Sequence, residues 1–168
     1  MVRTSAFFGP WDEYNFVTLA LRELSALRPF TAASDSLVSP TYIADLVNAC
    51  LDLLLDRASG VWHVANDGVV TWADLAIRVA RLAGLDERLV LPVPTADLGL
   101  SARRPRQSAL VSERGARLPR LDDALERYWA TRAGLRPQRE ALAANDGGTT
   151  VCGGGDACPG YGRCGIHR

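Results

Sequence analysis

The sequence contains no lysine; all nineteen basic residues are arginine. That absence removes a P-loop lysine, Schiff-base chemistry and any Tyr-x-x-x-Lys proton-transfer pair from what this chain can do by itself. Net charge is lacking as well, because nineteen acidic residues offset the arginines. Without a basic excess there is no electrostatic footprint for nucleic acid or an acidic membrane surface. No apolar run reaches the length of a membrane span, and Met1 to Pro10 lacks the charged-then-apolar layout of a leader, so a cytoplasmic protein is expected. Cysteine is too sparse for a disulfide framework, with Cys50 on the apolar side of an expected helix and Cys152, Cys158 and Cys164 in a glycine-rich tail. The tail cysteines and His167 formally make a metal set. Their C-x5-C-x5-C spacing is not the C-x2-C hairpin of structural zinc, and no metal site is expected.

What is present reads as a globular chain, 48% hydrophobic and 23% charged over 168 residues. A short extended stretch, Val2 to Phe8, ends at the Gly9-Pro10 turn, and a helix is expected from about Glu13 to Leu27. A strand at Phe30 to Ala33 closes at Ser34-Asp35-Ser36. Ser39 then suits a cap and Pro40 a first helical position for a helix reaching about Arg57, ended by Gly60. Its apolar side is Ile43, Leu46, Val47, Cys50, Leu51 and Leu54.

Val61 to Ala65 reads as a buried strand, with His63 a buried, hydrogen-bonded histidine, followed by the turn Asn66-Asp67-Gly68. Thr71 to Asp74 is a capping box opening a helix that ends at Gly84. Leu89 to Val93 is the next strand, and Leu98 to Gln107 a polar loop in which Arg103, Arg104 and Arg106 cluster. A short helix over Ser112 to Arg117 and an amphipathic one carrying Leu121, Leu125, Tyr128 and Trp129 complete the pattern, which dissolves after Gly134. From Asn145 onward a disordered tail is expected. Alternating strands and helices predict an α/β fold, with too few strands for a complete doubly wound sheet. Trp62 and Trp72 read as core, and Trp11 as a candidate for stacking on a base.

Several runs together resemble one family. Arg3-Thr4-Ser5, Phe8-Gly9-Pro10 and Asn15-Phe16-Val17 resemble an "R-T-S…G…N-F-V" run. Asp35 with Ser39-Pro40-Thr41-Tyr42 and Asp45-Leu46 resembles "D-Q-x-G-S-P-T-Y-x-x-D-L-A". Gly60, His63, Gly68, Trp72 and Ala76 match "G-x-Y-H…G…S-W…F-A", and Ala102, Arg104-Pro105, Ser108 and Leu110 match "A-x-R-P-x-N-S-x-L". These are the motifs of the dTDP-4-dehydrorhamnose reductases, a family of extended short-chain dehydrogenases. The departures are Gln107 for asparagine, Leu37-Val38 for a glycine-containing step, and Leu121 where tryptophan is favoured.

The resemblance implies the C-terminal part of an extended short-chain dehydrogenase of Rossmann type, an incomplete sheet with packed helices. The family's glycine-rich nucleotide-binding half does not precede residue 1, and Gly153-Gly154-Gly155 follow no strand and open no helix. Residues 1–134 would then be the substrate-binding portion and 135–168 a tail. In the family, hydride passes from NADPH to the C4 ketone of the dTDP sugar while a tyrosine supplies a proton. Here the implied substrate residues are Asn15, Ser39, Pro40, Thr41 and Arg104, whose guanidinium suits a pyrophosphate. Thr4 and Ser5 match a segment beside the nicotinamide and would be vestigial without the dinucleotide fold; no catalytic residue is assigned. The implied partners are a dTDP sugar and a separate Rossmann-domain chain or a second copy. The alternatives are a non-catalytic nucleotide-sugar-binding or regulatory module, or part of another nucleotide-sugar epimerase or dehydratase.

Overall fold

The structure is a computed structural model that describes residues 1–102, 104–114 and 118–146, with side chains described through residue 135. Two short strands, β1 (Val2–Arg3) and β2 (Phe7–Phe8), replace the single extended run expected up to Phe8. Helix α1 (Phe16–Ser25) starts later than Glu13 because Asn15 caps it, accepting the Thr18 amide at 3.0 Å. Strands β3 (Phe30–Ala33), β4 (Leu37–Val38) and β5 (Thr41–Tyr42) follow, then helix α2 (Ile43–Leu55).

The start of α2 departs from expectation. Neither Ser39 nor Pro40 belongs to the helix, because Thr41–Tyr42 is drawn into pairing with β2. The N-terminal amide of Tyr42 is capped from a distance instead, donating to Asn66 Oδ1 at 2.7 Å. The far end differs too. Arg57, not Gly60, takes the left-handed position (φ 52°), and the Ala58 amide reaches back to the Leu53 carbonyl at 2.9 Å.

Strands β6 (Trp62–His63), β7 (Asn66–Asp67) and β8 (Val70–Thr71) lead into helix α3 (Trp72–Leu82), which opens on the expected Thr71/Asp74 capping box. Asn66 and Asp67 are strand rather than turn. The connection to β8 passes through Gly68, whose φ of +145° would strain any other residue and where an added Cβ would lie tight against Leu121, at 3.1 Å. His63 is half-buried, and its imidazole makes no hydrogen bond to a described residue, unlike the bonded histidine expected. A 3₁₀ turn at Glu87–Leu89 precedes β9 (Val90–Val93), and a second follows at Thr95–Leu98. Strands β10 (Gln107–Ser108) and β11 (Leu118–Arg120) then lead to helix α4 (Leu121–Asp146).

Helix α4 continues past Gly134, where the pattern was expected to dissolve, and reaches Asp146. Ser112 to Arg114 are not helical; the remainder of the helix expected there, and the tail from residue 147, lie outside the described residues. Contacts divide the chain into a unit of Met1–Leu135 and a remainder of Arg136–Arg168. No helix among the described residues is long and apolar enough to cross a membrane.

Among the described residues the strands form five small sheets. β1 pairs with β6, β2 with β5, β3 with β9 and β7 with β11, all parallel, while β4 lies between β10 (parallel) and β8 (antiparallel). The core is where α1, α3 and α4 meet the strands. Phe8 stacks on Tyr42 at 5.4 Å and meets Tyr128 edge-on at 5.8 Å, with Val17, Leu21, Leu75, Val79, Leu121 and Leu125 packed around them. A smaller cluster joins Ala20 and Leu24 of α1 to Ala76 and Ala80 of α3, and the alanines let the helices approach closely.

Candidate functional site

Strands β3 and β9 run in register from Phe30 opposite Val90 to Ala33 opposite Val93, so their carboxyl ends leave the sheet side by side. In parallel α/β arrangements that edge is where loops diverge and ligands settle. Here the chain turns at residues 34–36 after β3 and enters the Thr95–Leu98 turn after β9. A cleft of about 590 Å³ opens between them, of a size suited to a small organic ligand.

Its apolar wall is made by Phe16 and Trp72, whose rings lie 4.7 Å apart at 55°. The polar groups come from Ser5, Ser36, Thr95 and Ser108, and Arg104 stands at the exposed rim. Among the described residues nothing pairs with the Arg104 guanidinium. The Asp35 carboxyl is held below its ordinary value, first by the Thr95 hydroxyl and amide that donate to it, with Arg106 adding to the effect. The cleft thus offers two inclined aromatic rings along one wall and an unpaired arginine at its rim, groups that suit a ring carrying an anionic group.

The residues picked from sequence divide between cleft and scaffold. Arg104 and Ser5 line the cleft, Ser5 donating to the Ser108 carbonyl at 3.2 Å. Asn15 does not reach it. Besides capping α1, its amide nitrogen donates to the Gly9 and Asp12 carbonyls and to the Thr18 hydroxyl. Ser39, Pro40 and Thr41 are buried outside the cleft lining. The Ser39 hydroxyl receives the Leu110 amide at 3.1 Å, and Thr41 accepts from the Thr4 hydroxyl at 3.1 Å. Trp11 is exposed and away from the cleft, whereas Trp72, expected as core, serves both core and cleft.

Phe16, Ser36, Thr95 and Ser108 were not picked out as site residues by sequence. The available signal was positional, because Asp35 and Thr95 each lie two residues beyond the ends of neighbouring parallel strands. A second polar constellation holds the frame together. Asp45 accepts both Arg127 guanidinium nitrogens and the Asn66 amide, and Asn66 also donates to the Pro119 carbonyl. Burial pushes the Asp45 carboxyl up, but the hydrogen bonds and charge of Arg127, with Asn66, outweigh it and leave it below its ordinary value.

A family profile described as the RmlD substrate binding domain matches residues 1–128. The spore coat polysaccharide biosynthesis protein SpsK of Bacillus subtilis is 31% identical over 137 residues, covering 79% of this chain and 47% of that protein. A dTDP-4-dehydrorhamnose reductase of Mycobacterium tuberculosis is 33% identical over 159 residues, covering 90% of this chain and 47% of its own length. Among solved structures, the dTDP-4-dehydrorhamnose reductase of Bacillus anthracis in complex with NADP superposes with a TM-score of 0.72 at 30% identity, over 77% of this chain and 47% of that one. The dTDP-glucose 4,6-dehydratase of the same organism, at 13% identity and a TM-score of 0.62, shares the fold alone. The chain spans about half the length of the relatives it matches.

Proposed function

Because the chain belongs to the RmlD substrate binding domain family, we propose that it is the substrate-holding part of a dTDP-4-dehydrorhamnose reductase-like protein, inactive by itself. The observation that carries this reading is the unpaired Arg104 at the rim of the aromatic-walled cleft. A thymine or sugar ring lies against Phe16 and Trp72, and the pyrophosphate meets the guanidinium, whose fork matches two phosphate oxygens. Ser5, Thr95 and Ser108 orient the sugar hydroxyls. Asn15, Ser39, Pro40 and Thr41 act behind the cleft by fixing the segments that line it.

The described residues do not fit NADPH. No described glycine opens a helix directly after a strand, the arrangement that cradles a dinucleotide's pyrophosphate. No hydride step is therefore assigned to this chain; its residues bind and orient the nucleotide sugar. The nucleotide-binding half is supplied by another polypeptide segment or chain, and the solvent-facing apolar side of α2 is the surface suited to receive it. A cytoplasmic location goes with this reading.

Calorimetric titration of the full chain with dTDP tests it. Saturable binding is expected, weakened about tenfold or more in Arg104→Ala, the scale of a lost charge-assisted contact. Absence of heat from a chain shown by circular dichroism to be folded rejects the nucleotide reading. It favours a regulatory module.

A further inference from the structure

The short turn at residues 34–36 makes more directed hydrogen bonds than a connection between two strands requires, and they run to two separate segments that line the cleft. On one side Asp35 Oδ1 accepts the Thr95 amide at 2.8 Å and the Thr95 hydroxyl at 2.5 Å. Thr95 is the first residue of the 3₁₀ turn that leaves β9. On the other side Ser36 Oγ donates to the Pro105 carbonyl at 3.1 Å, and the Leu37 amide donates to the Arg106 carbonyl at 2.8 Å. The pairing of β4 with β10 extends that second attachment through Gln107 and Ser108.

Two adjacent side chains thus hold the two walls. Asp35 holds the segment after β9, and Ser36 holds the segment immediately following Arg104. Pro105 narrows the backbone choices of Arg104 further. Thr95, Arg104 and Pro105 line both the main cleft and an adjoining hollow of about 420 Å³, so the distance between the walls determines the shape of both. The Asp35 carboxylate is occupied by these contacts. Its second oxygen lies 3.9 Å from the exposed Arg106, and these contacts give Asp35 a holding role rather than a ligand-binding one. Ordering this many groups in a surface turn costs conformational entropy, and two-directional anchoring is the structural return.

We propose that Asp35 and Ser36 are the positioning residues of the cleft, Asp35 fixing the Thr95 wall and Ser36 the Pro105 wall, so that Arg104 is held at one reach from a bound nucleoside diphosphate. This rests on the nucleotide-sugar reading above. Neither residue is required to touch the ligand. Both act through the segments they hold, and preorganisation of that kind is expressed as affinity.

The test uses the full chain with Asp35→Ala and Asp35→Asn, comparing amide hydrogen exchange at Thr95 without ligand and calorimetric titration with dTDP. Asparagine keeps an oxygen that accepts both Thr95 bonds; alanine keeps none. In Asp35→Ala the Thr95 amide is expected to exchange about tenfold faster and the dTDP Kd to rise about fivefold or more. Asp35→Asn is expected to restore both to within about threefold of the parent. Parental exchange at Thr95 in Asp35→Ala overturns the proposal whatever the titration gives. So does an Asp35→Asn chain as impaired as Asp35→Ala. If the parent chain fails to bind dTDP while Thr95 exchange still follows the alanine and asparagine order, the nucleotide reading falls and the wall-fixing role stands.

Discussion

Helix α3 lays Leu75, Ala76, Val79 and Ala80 against α1 and the β3–β9 pair, each at 2% exposure or less. Helix α2 carries as regular an apolar stripe, yet its only buried residue is Asp45, and Leu54 and Leu55 stand 72% and 80% exposed. The two helices are attached by different physics. Apolar contact holds α3, while α2 sets Ala44 against the core and is otherwise pinned by a polar knot in which Asp45 is shared between Arg127 and Asn66. Periodicity therefore establishes that a helix has an apolar face; it does not establish that the same chain covers that face.

The largest effect should come from α3. Leu75→Ala removes a side chain at the contact of helix and core and leaves a cavity, for a loss of about 3 kcal/mol in unfolding free energy by urea titration, with the slope unchanged. A loss under about 1 kcal/mol would mean that α3 packs more loosely than its burial indicates.

The polar knot of α2 ranks next. Arg127→Ala leaves the Asp45 carboxylate, 6% exposed, without its cation. Arg127 is itself 44% exposed, so solvent screening reduces the loss below that of a fully buried pair, to about 2 kcal/mol. The pH dependence follows from the direction of the Asp45 shift. A carboxyl held below its ordinary value stabilises the fold at neutral pH, and that contribution is lost as acid is added below its unfolded value and on through the folded one. Arg127→Ala should flatten this part of the acid-unfolding curve. An unchanged acid limb would remove Asp45 from the account.

How much of this was legible in the sequence depended on whether a signal was local. The α3 capping box and the β3 strand were readable because neighbouring residues decide them. The start of α2 was misread for the complementary reason. Ser39 and Pro40 look like a cap and a first helical residue, but β2 claims Thr41–Tyr42 and Asn66, from a distant strand, supplies the cap. The site divided in the same way. Arg104 was found through its family resemblance and lies at the cleft, whereas Asn15, Ser39 and Thr41, found by the same route, are committed to backbone and hydroxyl partners behind it. Asp35 and Thr95 form a pair only once β3 and β9 are laid side by side, a contact 60 residues apart in sequence.

The smallest expected effect sharpens the comparison most. Leu54→Gln with Leu55→Gln replaces two exposed leucines by residues of similar helix propensity, so the unfolding free energy of the chain should stay within about 0.5 kcal/mol of the parent. The same replacement in a buried stripe would cost several kcal/mol, since each leucine contributes about 2 kcal/mol or more when it leaves water. What should change is self-association. An apolar stripe in water promotes contact between molecules, and light scattering at raised concentration should show less of it in the double variant. A loss of more than about 1 kcal/mol would show that the α2 stripe is covered within the chain in solution, and the contrast with α3 would disappear. Unchanged stability with unchanged scattering would retain the contrast but remove the stripe as a sticking surface, leaving its polar neighbours Asn48, Asp52 and Asp56 as the face that a partner must recognise.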